Sequence, residues 1–454
     1  MSYHLLDAAW SALDLPSSAL DAVQITGQGE LPSWFATTGL AAASVATAAL
    51  AVQQLMAAQG RAPAGVTVDQ RLASMWFSWS IQPVSWERPP LWDAIAGDYA
   101  TADGWIRLHT NAPHHRLAAL AALGCADDRE AVARTVAGWR AQELEEAVVA
   151  HGGCAAMMRS MAAWQAHPQG RAVAAEPLIA FSSHAQASGR REWAWTASRP
   201  LAGLKVLDLT RVLAGPVATR FLAGYGADVL RIDPPGWNEP GVIPEVTLGK
   251  RCARLDLTQA SDRARFEKLL AEADVLVHGY RPAALERLGY GEEYRRQRNP
   301  SLIDVALDAY GWTGPLAGRR GFDSLVQMSC GIADHGMRQQ GASKPVPLPV
   351  QALDHATGYL IAAAVVRALI SRLNDGRVQQ ARLSLARTAQ LLMTTQTPAA
   401  SPPLAATSDA DYAPQLEQTE WGPARRYHPP AIIEGVPMAW TRPASSLGSA
   451  SAAW

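Results

Sequence analysis

The stretch LKVLDLTRVLAGPVATRFLAGYGADVLRIDPPG, residues 204–236, decides the fold of this chain. Two apolar, β-rich runs, 204–210 and 228–235, flank a segment at 216–226 that is typical of a helix. Neither run alternates polar with apolar residues, and strands without that alternation are buried on both faces, as in a parallel sheet. The stretch therefore predicts a strand–helix–strand unit.

The same alternation continues along the chain. Further strands are predicted at 253–257, 274–280 and 301–310, and helices at 259–272 and 283–290 lie between them. Such repetition indicates an α/β fold in which a Rossmann-like, doubly wound parallel sheet forms a large domain.

Sheets of this type bind their ligands at the carboxyl ends of the strands. The loops 210–216, 233–241 and 278–282 follow predicted strands and form the candidate site. The first of them reads TRVLAGP and lacks the GxGxxG fingerprint, so the sequence does not predict an NAD or FAD site.

Composition restricts the class of protein. The chain has 454 residues, 48% of them hydrophobic and 18% charged, with a net charge of −1. It can bury a sizeable core in two or three domains, and its charge balance does not favour nucleic acid or an anionic membrane as a partner.

The longest apolar run, 39–52, is too short to span a bilayer, and no signal peptide is evident, so we expect a cytoplasmic enzyme or binding protein. Four widely spaced cysteines predict neither disulfides nor a zinc site.

Two stretches of the sequence resemble each other. Residues 35–76 and 354–392 each contain a Thr-Gly pair, an apolar helix, a glycine turn and an alternating Val/Leu segment. A weaker pair, 192–204 and 438–449, repeats a Trp-Thr-Arg-Pro tail. We therefore predict two partial copies of one ancestral unit.

This repeat suggests a division into four segments. Residues 1–95 are helix-rich, repeat the long apolar helix of residues 354–392 and belong to the large domain, whereas 96–195 form a small α+β domain with a tail. Residues 196–395 form the Rossmann-like large domain, and 396–454 are a linker and C-terminal tail.

The second half also carries an ordered series of motifs. They are PLAGLKVLDLTRVLAGPVATRFLAGYGADVLRIDPPG (200–236), GKRCARLDL (249–257), ADVLVHGYRPAALERLGYG (273–291), NPSLIDVALDAYGWTGPLAGRRGFDSLVQMSCGI (299–332) and LDHATG (353–358). This series resembles that of the class III CoA-transferases, the CaiB/BaiF family of formyl-CoA and carnitine CoA-transferases. The resemblance implies the CoA-transferase family III fold, here with the order of the two halves rearranged.

The resemblance implies that Asp354 is the catalytic residue. In the family an aspartate at this place attacks the acyl-CoA thioester and forms an aspartyl-acyl anhydride, on which CoA passes reversibly to a second carboxylic acid. An ordinary aspartate is ionised at neutral pH and needs no base to act as a nucleophile. A helix beginning near Thr357 would place backbone N–H groups beside it. The structural alternative is that Asp354 only caps that helix. In the first copy of the repeat Phe35 takes its place, so we predict one site per chain.

CoA is expected as a substrate, with no tightly bound cofactor and no metal. By resemblance, the loop after the first strand contacts the pantetheine and adenine end of CoA, and basic residues meet its phosphates. The CoA-binding residues predicted in this way are Val212, Leu213, Ala214, Arg231, Lys250, Arg251, Tyr280 and Arg281. The chain departs from the family at Gly279, where asparagine is common, and in its tail LGSASAAW.

Other interpretations remain open. Racemases of the same family pair the aspartate with a histidine at the position of Phe322, and phenylalanine cannot carry a proton. A non-catalytic or degenerate CoA-binding partner subunit is the main alternative. His355 is expected to be packed or solvent-facing, and His109, His114 and His115 lack the further ligands that a metal site needs. By resemblance we expect a homodimer, although the rearranged halves could let one chain mimic part of that arrangement.

Overall fold

The computed structural model describes residues 2–186, 193–395 and 401–454. Its first segment contains three helices and three short strands. They are α1 (Ser2–Ser11), β1 (Val23–Thr26), α2 (Thr37–Ala58), β2 (Val66–Asp69), α3 (Gln70–Trp76) and β3 (Ile81–Pro83).

The next segment is a small α+β unit. It comprises β4 (Gly97–Ala100), β5 (Trp105–Leu108), α4 (Pro113–Leu123), α5 (Arg129–Val136), α6 (Ala141–Ala150) and β6 (Ala155–Met157). The three strands form an antiparallel sheet in the order β4-β5-β6. Its separate apolar core includes Ile106, Leu108, Val132 and Leu144, all fully buried.

Two helices and a strand lead from this unit to the large domain: α7 (Met161–Ala166), α8 (Pro168–Ala175) and β7 (Ala180–Gln186). Strand β7 pairs antiparallel with a strand of the large sheet, described below. The predicted small domain, 96–195, is therefore wrong at β7, because this strand is hydrogen-bonded to the large sheet. The tail predicted to begin at 192 lies partly outside the described residues.

The large domain follows as alternating strands and helices. Its elements are β8 (Lys205–Leu209), α9 (Ala214–Gly224), β9 (Asp228–Asp233), α10 (Ile243–Val246), β10 (Lys250–Arg254), α11 (Ala260–Glu272), β11 (Val275–His278), α12 (Ala284–Arg287), α13 (Glu292–Arg298), β12 (Ile303–Asp308), α14 (Asp323–Cys330), α15 (Ile332–Gln340), α16 (Ala352–Asp375), β13 (Arg377–Ser384) and α17 (Leu385–Thr394).

The seven strands of the large sheet run in the order β10-β9-β8-β11-β12-β13-β7. Strands β8 to β13 are mutually parallel, and only β7 is antiparallel. In chain order the six parallel strands therefore lie 3-2-1-4-5-6, the classical Rossmann arrangement. The order reverses between β8 and β11, so the crevice at their carboxyl ends is where this fold binds a ligand. The predicted α/β, Rossmann-like class is confirmed.

Helices α2 and α16 pack against each other in the centre of the molecule, and almost all their residues are buried. Both are long and apolar enough to cross a membrane by length and composition, a test that buried core helices also pass, and 89% of each apolar window is buried inside the protein. Each helix is followed by a strand and a shorter helix, β2 and α3 in one case and β13 and α17 in the other. The two similar sequence stretches thus adopt the same order of elements, and their common ancestry stays a prediction.

Gly358, in the Thr-Gly pair of α16, explains one part of the motif. A Cβ atom at this position would lie 2.4 Å from the carbonyl oxygen of Ala214 and 2.8 Å from the Cβ of Val217. Glycine therefore allows α16 to approach the start of α9 closely. This contact brings the beginning of α16 to the carboxyl edge of the sheet.

The C-terminal segment folds back onto the first one. It contains β14 (Glu417–Thr419), β15 (Gly422–Arg426) and β16 (Ala431–Ile433), after a 3₁₀ turn at Asp409–Asp411. Strand β16 pairs with β2 and β15 pairs with β3. Trp440 stacks on Trp76 and donates to the carbonyl of Arg220 (2.8 Å). The first five residues predicted as linker, 396–400, lie outside the described part of the chain.

Candidate functional site

A cavity of about 520 Å³ lies at the carboxyl edge of the large sheet. Its lining comes from the loops after β8, β9, β11 and β12, from the loop before α14, from the first turn of α4 and from Asp354. It therefore combines the predicted loops 210–216, 233–241 and 278–282 with residues of the small α+β unit. We call it the Asp354 cavity.

Asp354 lies in the first turn of α16 with 7% of its surface exposed. Within the described part of the chain, no hydrogen bond to its carboxylate is found. The helix begins at Ala352, not near Thr357 as the sequence suggested. Asp354 is thus inside the helix, and the alternative that its side chain caps this helix is wrong.

The cap comes from Asp323, which the sequence analysis did not identify. Its Oδ2 accepts hydrogen bonds from the backbone N–H groups of Leu353 (2.8 Å) and Asp354 (3.0 Å), while its Oδ1 accepts one from the side chain of Gln327. These two amides cannot also stabilise an oxyanion at the helix start, contrary to expectation. The available signal was Asp323 with Gln327 four residues later in the same helix, since a buried carboxylate needs partners and these two positions share one helix face.

The two carboxylates affect each other's ionisation. Burial raises the pKa of Asp354 well above its ordinary value, and the nearby charge of Asp323 raises it further. Burial likewise raises the pKa of Asp323 to about 6, against the lowering effect of its hydrogen bonds from Asp354, Gln327 and Leu353. The expectation of an ordinary, fully ionised aspartate is therefore corrected: the protein environment disfavours the charge on Asp354.

The loop after β8 forms one wall of the cavity. Val212 has a φ of 63°, an unusual conformation for a β-branched residue. Its N–H donates to Oε2 of Glu239 (2.9 Å), which also accepts from Nε1 of Trp237 (3.0 Å). Val212 and Ala214 line the cavity as predicted for a ligand-binding loop, whereas Leu213 is buried beside it as the residue preceding α9.

Three of the predicted phosphate-binding cations do not reach the cavity. Arg231 is fully buried within β9, where it pairs with Asp233 (2.8 Å) and with Glu239. Its position supports the carboxylate that holds Val212. Arg231 was predicted to meet the phosphates of CoA, but it lies inside the sheet with its charge neutralised and does not line the cavity.

The other two are Lys250 and Arg251, at the start of β10. The Nζ of Lys250 is buried against Asp208 (3.0 Å) and the carbonyl of Pro216 (2.9 Å). Arg251 pairs with Asp228 (2.7 Å) at the amino end of β9. Neither Lys250 nor Arg251 lines the Asp354 cavity, so these two predicted phosphate-binding residues are not brought together with Tyr280 and Arg281.

Tyr280 and Arg281 do line the Asp354 cavity. The side chain of Arg281 has no hydrogen bond or ion pair with the described residues, and burial and the nearby charge of Arg320 lower its pKa. Among the described residues, the side chain of Arg320 donates to one group, the carbonyl of Gly152 (2.8 Å). Within that part of the chain, neither cation is neutralised by a carboxylate, which favours an anionic ligand in the cavity.

Further lining residues were missed by sequence reasoning. Arg211 donates to the hydroxyl of Tyr280 (2.9 Å) and stacks over Trp237 (4.9 Å). The arginine pair directly before GFDSLVQ was a usable signal for Arg319 and Arg320, because adjacent cations on a loop at a strand end are suited to anion binding. Asp308, His114 and His115 also face this space.

The histidines occupy apolar surroundings. Both ring nitrogens of His115 lack a partner among the described residues, and burial lowers its pKa to about 3. His109 stacks on Phe322 with ring centroids 3.7 Å apart, and His355 stacks on Phe77 at 5.1 Å. His355 is packed, as expected. In the described ranges no group of three or more His, Cys, Asp or Glu residues is arranged to hold a metal.

Comparison with known proteins gives a consistent result. The family model for CoA-transferase family III matches residues 201–428. A probable fatty acyl-CoA transferase from Mycobacterium tuberculosis is 35% identical over 39% of this chain and 48% of its own length. The human succinyl-CoA:glutarate CoA-transferase is 32% identical over 42% of this chain and 46% of its own.

The crystal structure of the M. tuberculosis protein aligns with 43% of this chain and 59% of its own, at 31% identity and a TM-score of 0.39. The chain spans about a third to a half of the length of the curated relatives it matches.

Proposed function

Because this chain belongs to CoA-transferase family III, we propose that it is an acyl-CoA:carboxylate CoA-transferase in which Asp354 forms an aspartyl-acyl anhydride. The observation that carries the proposal is the Asp354 carboxylate, which has no hydrogen-bond partner among the described residues and lines a cavity with Arg281 and Arg320. A carboxylate kept without internal partners is available to react with a ligand.

The first step balances without another reactant. An Asp354 carboxylate oxygen attacks the carbonyl carbon of the thioester, the carbon–sulfur bond breaks, and CoA leaves as a thiolate. An anhydride and a thioester are both activated acyl groups, so the thiolate can return and the exchange with a second carboxylate is reversible. Only the ionised form of Asp354 is nucleophilic. Because its pKa is raised, the carboxyl group must first lose its proton.

The other residues of the Asp354 cavity are assigned to binding the two substrates. We assign Arg281 and Tyr280 to the CoA portion, together with Val212 and Ala214 from the loop that Glu239 holds. Arg320 and Arg211 supply further positive charge for the phosphates of CoA or for the carboxylate of the acceptor acid. CoA enters as a substrate, and no tightly bound cofactor is required for this chemistry.

Two further features are part of the proposal. By resemblance we expect a homodimer in the cytoplasm. The packing of α2 against α16 within one chain supports the alternative that the two halves reproduce part of a dimer internally. Size-exclusion chromatography with light scattering distinguishes the two, because they predict particles of twice and once the chain mass.

The test is trapping of the anhydride. The protein is mixed with a panel of CoA thioesters, treated with hydroxylamine, and analysed by intact-protein and peptide mass spectrometry. We expect a hydroxamate at Asp354 that is absent from Asp354→Ala. Asp375→Asn, which changes an exposed aspartate at the other end of the same helix, should form the adduct as the wild type does.

Two results would contradict the proposal. An adduct on another residue would show that Asp354 is not the nucleophile. Measurable CoA binding without any adduct would favour the alternative of a non-catalytic partner subunit.

A further inference from the structure

We infer that the acyl group of the donor occupies a second cavity beside Asp354, and that the substrates are thioesters of compact, uncharged acids with a ring or a branched chain. This inference rests on the proposed function. The second cavity, which we call the side cavity, has a volume of about 210 Å³ and lies between the small α+β unit and the large domain.

The side cavity adjoins the Asp354 cavity. Val212, Trp237 and Phe322 line both. Phe322 directly precedes Asp323, whose carboxylate holds the backbone of Asp354. A thioester carbonyl placed at Asp354 therefore has the side cavity next to it as a site for the group attached to that carbonyl.

The walls of the side cavity are mainly apolar. Leu91 and Trp92 contribute from the segment that precedes the small α+β unit, and Trp237, Val242 and Phe322 contribute from the large domain. Three aromatic rings around one space favour flat or branched hydrocarbon groups, which gain most from burial against them.

The lining of the side cavity does not suit an acyl group that carries a second carboxylate. No lysine or arginine is among its described residues. His109 does not supply the missing cation, since burial keeps its pKa well below the ordinary value and the ring neutral. A distal carboxylate would thus be buried without a cation, which is strongly unfavourable.

The acidic residues of the lining are already engaged. Asp93 accepts from Thr110 (2.7 Å) and pairs with Arg116. Glu239 accepts from Val212 and Trp237 and pairs with Arg231. Both carboxylates are paired with arginines inside the protein, so neither pair is available to bind the second carboxylate of an acyl group such as succinyl or glutaryl.

The volume limits the size of the acyl group. A cavity of about 150 Å³ lined by apolar residues is known to hold benzene, so 210 Å³ suits a group of about eight carbon atoms. Phenylacetyl, cyclohexanecarbonyl and isovaleryl groups fit this volume, whereas a long fatty acyl chain would extend beyond it.

The experiment measures the single-turnover rate of adduct formation at Asp354 with phenylacetyl-, cyclohexanecarbonyl-, isovaleryl-, acetyl-, succinyl- and palmitoyl-CoA. We expect the first three to react fastest. Ala112, which lines the side cavity and has an extended backbone, offers a variant that fills it. Ala112→Leu should lower the ratio of the phenylacetyl to the acetyl rate by roughly 10- to 200-fold. Ala121→Leu, at an exposed position of helix α4, which Ala112 directly precedes, is the matched control.

The outcomes separate the inference from the function on which it rests. Fastest adduct formation with succinyl- or palmitoyl-CoA would overturn the inference and leave the transferase proposal intact. An unchanged ratio in Ala112→Leu would show that the acyl group lies elsewhere. No adduct with any thioester would contradict the proposed function itself, and the inference with it.

Discussion

The carboxylate of Asp323 accepts a hydrogen bond from the backbone N–H of Asp354 at 3.0 Å, across 31 residues of sequence. A second hydrogen bond, from the N–H of Leu353, makes Asp323 the cap of the helix that carries Asp354. The same contact places two buried carboxyl groups close together. Asp323 therefore positions the backbone of Asp354 and also raises the pKa of its side chain.

The first prediction concerns the pH dependence of the reaction. The charge of Asp323 is a cause of the raised pKa of Asp354, so Asp323→Asn should lower that pKa. Because only the carboxylate reacts, the rate of adduct formation in the wild type should fall as the pH drops through the raised pKa. In Asp323→Asn this decline should occur at lower pH.

The measurement is the single-turnover adduct rate between pH 4.5 and 9, with Asp334→Asn as a control on the neighbouring helix α15. The oxygen of an asparagine at this position can still accept from the backbone of α16. Its NH₂ group then faces the NH₂ group of Gln327, and because two donors cannot bond to each other, a loss of stability of about 1–3 kcal/mol is expected. A pH profile that does not move would rule out electrostatic control by Asp323.

The second prediction concerns stability. A buried carboxyl group whose pKa is raised in the folded state binds a proton there when the unfolded chain has already lost it. The free energy of unfolding therefore falls as the pH rises above the unfolded value of about 4. Asp354→Asn removes this effect, and it should stabilise the protein increasingly above that pH while abolishing adduct formation.

The difference in the free energy of unfolding between Asp354→Asn and the wild type reports the effect of Asp354, because the other titrating groups are present in both proteins. His115 and His355, with pKa values lowered to about 3, change stability in the opposite direction over an overlapping range. Urea unfolding at pH 4.5 and pH 8 should show a difference between the two proteins that grows with pH, to about 1–3 kcal/mol. A difference that is the same at both pH values would mean that Asp354 is not destabilised by burial.

The third prediction distinguishes two arginines that the sequence placed together. Arg281 lines the Asp354 cavity and has no side-chain partner in the described part of the chain, whereas Arg251 does not line it and pairs with Asp228. Loss of a charged contact is worth about 1.5–3 kcal/mol, so Arg281→Ala should weaken CoA binding by roughly 10- to 100-fold. Arg251→Ala should leave the affinity unchanged.

Isothermal titration with CoA at fixed ionic strength measures both affinities. Arg281→Lys should retain part of the binding, because it keeps the charge and loses the planar donor geometry. Equal weakening in both alanine variants would show that Arg251 contributes to CoA binding as much as Arg281 does.

The fold was largely predictable because its signals are local. Residues 204–236 predicted a strand, a helix and a strand, and the structure has β8, α9 and β9 there with ends shifted by up to two residues. Apolar runs without alternation indicate strands buried on both faces, and this property depends on neighbouring residues alone. The prediction for 253–257 was less exact, since β10 begins earlier, at Lys250.

The site was less predictable because its partners are distant in sequence. The motif singled out Asp354, but the beginning of its helix depends on Asp323. Likewise, the sequence showed Arg231 and Lys250 as available cations. Only the tertiary structure shows them neutralised by Glu239 and Asp208.

The sequence by itself thus determined the class of sheet and the loops at its carboxyl edge, and it singled out Asp354 for the proposed attack on a thioester. The tertiary structure decided which cations of the Asp354 cavity lack a carboxylate partner among the described residues and which carboxylate caps the helix that carries Asp354. It also brought the small α+β unit against the large domain to enclose the side cavity. The physical reason is that burial and pairing depend on contacts between distant segments, and these contacts set both the pKa of Asp354 and the charge that a ligand meets.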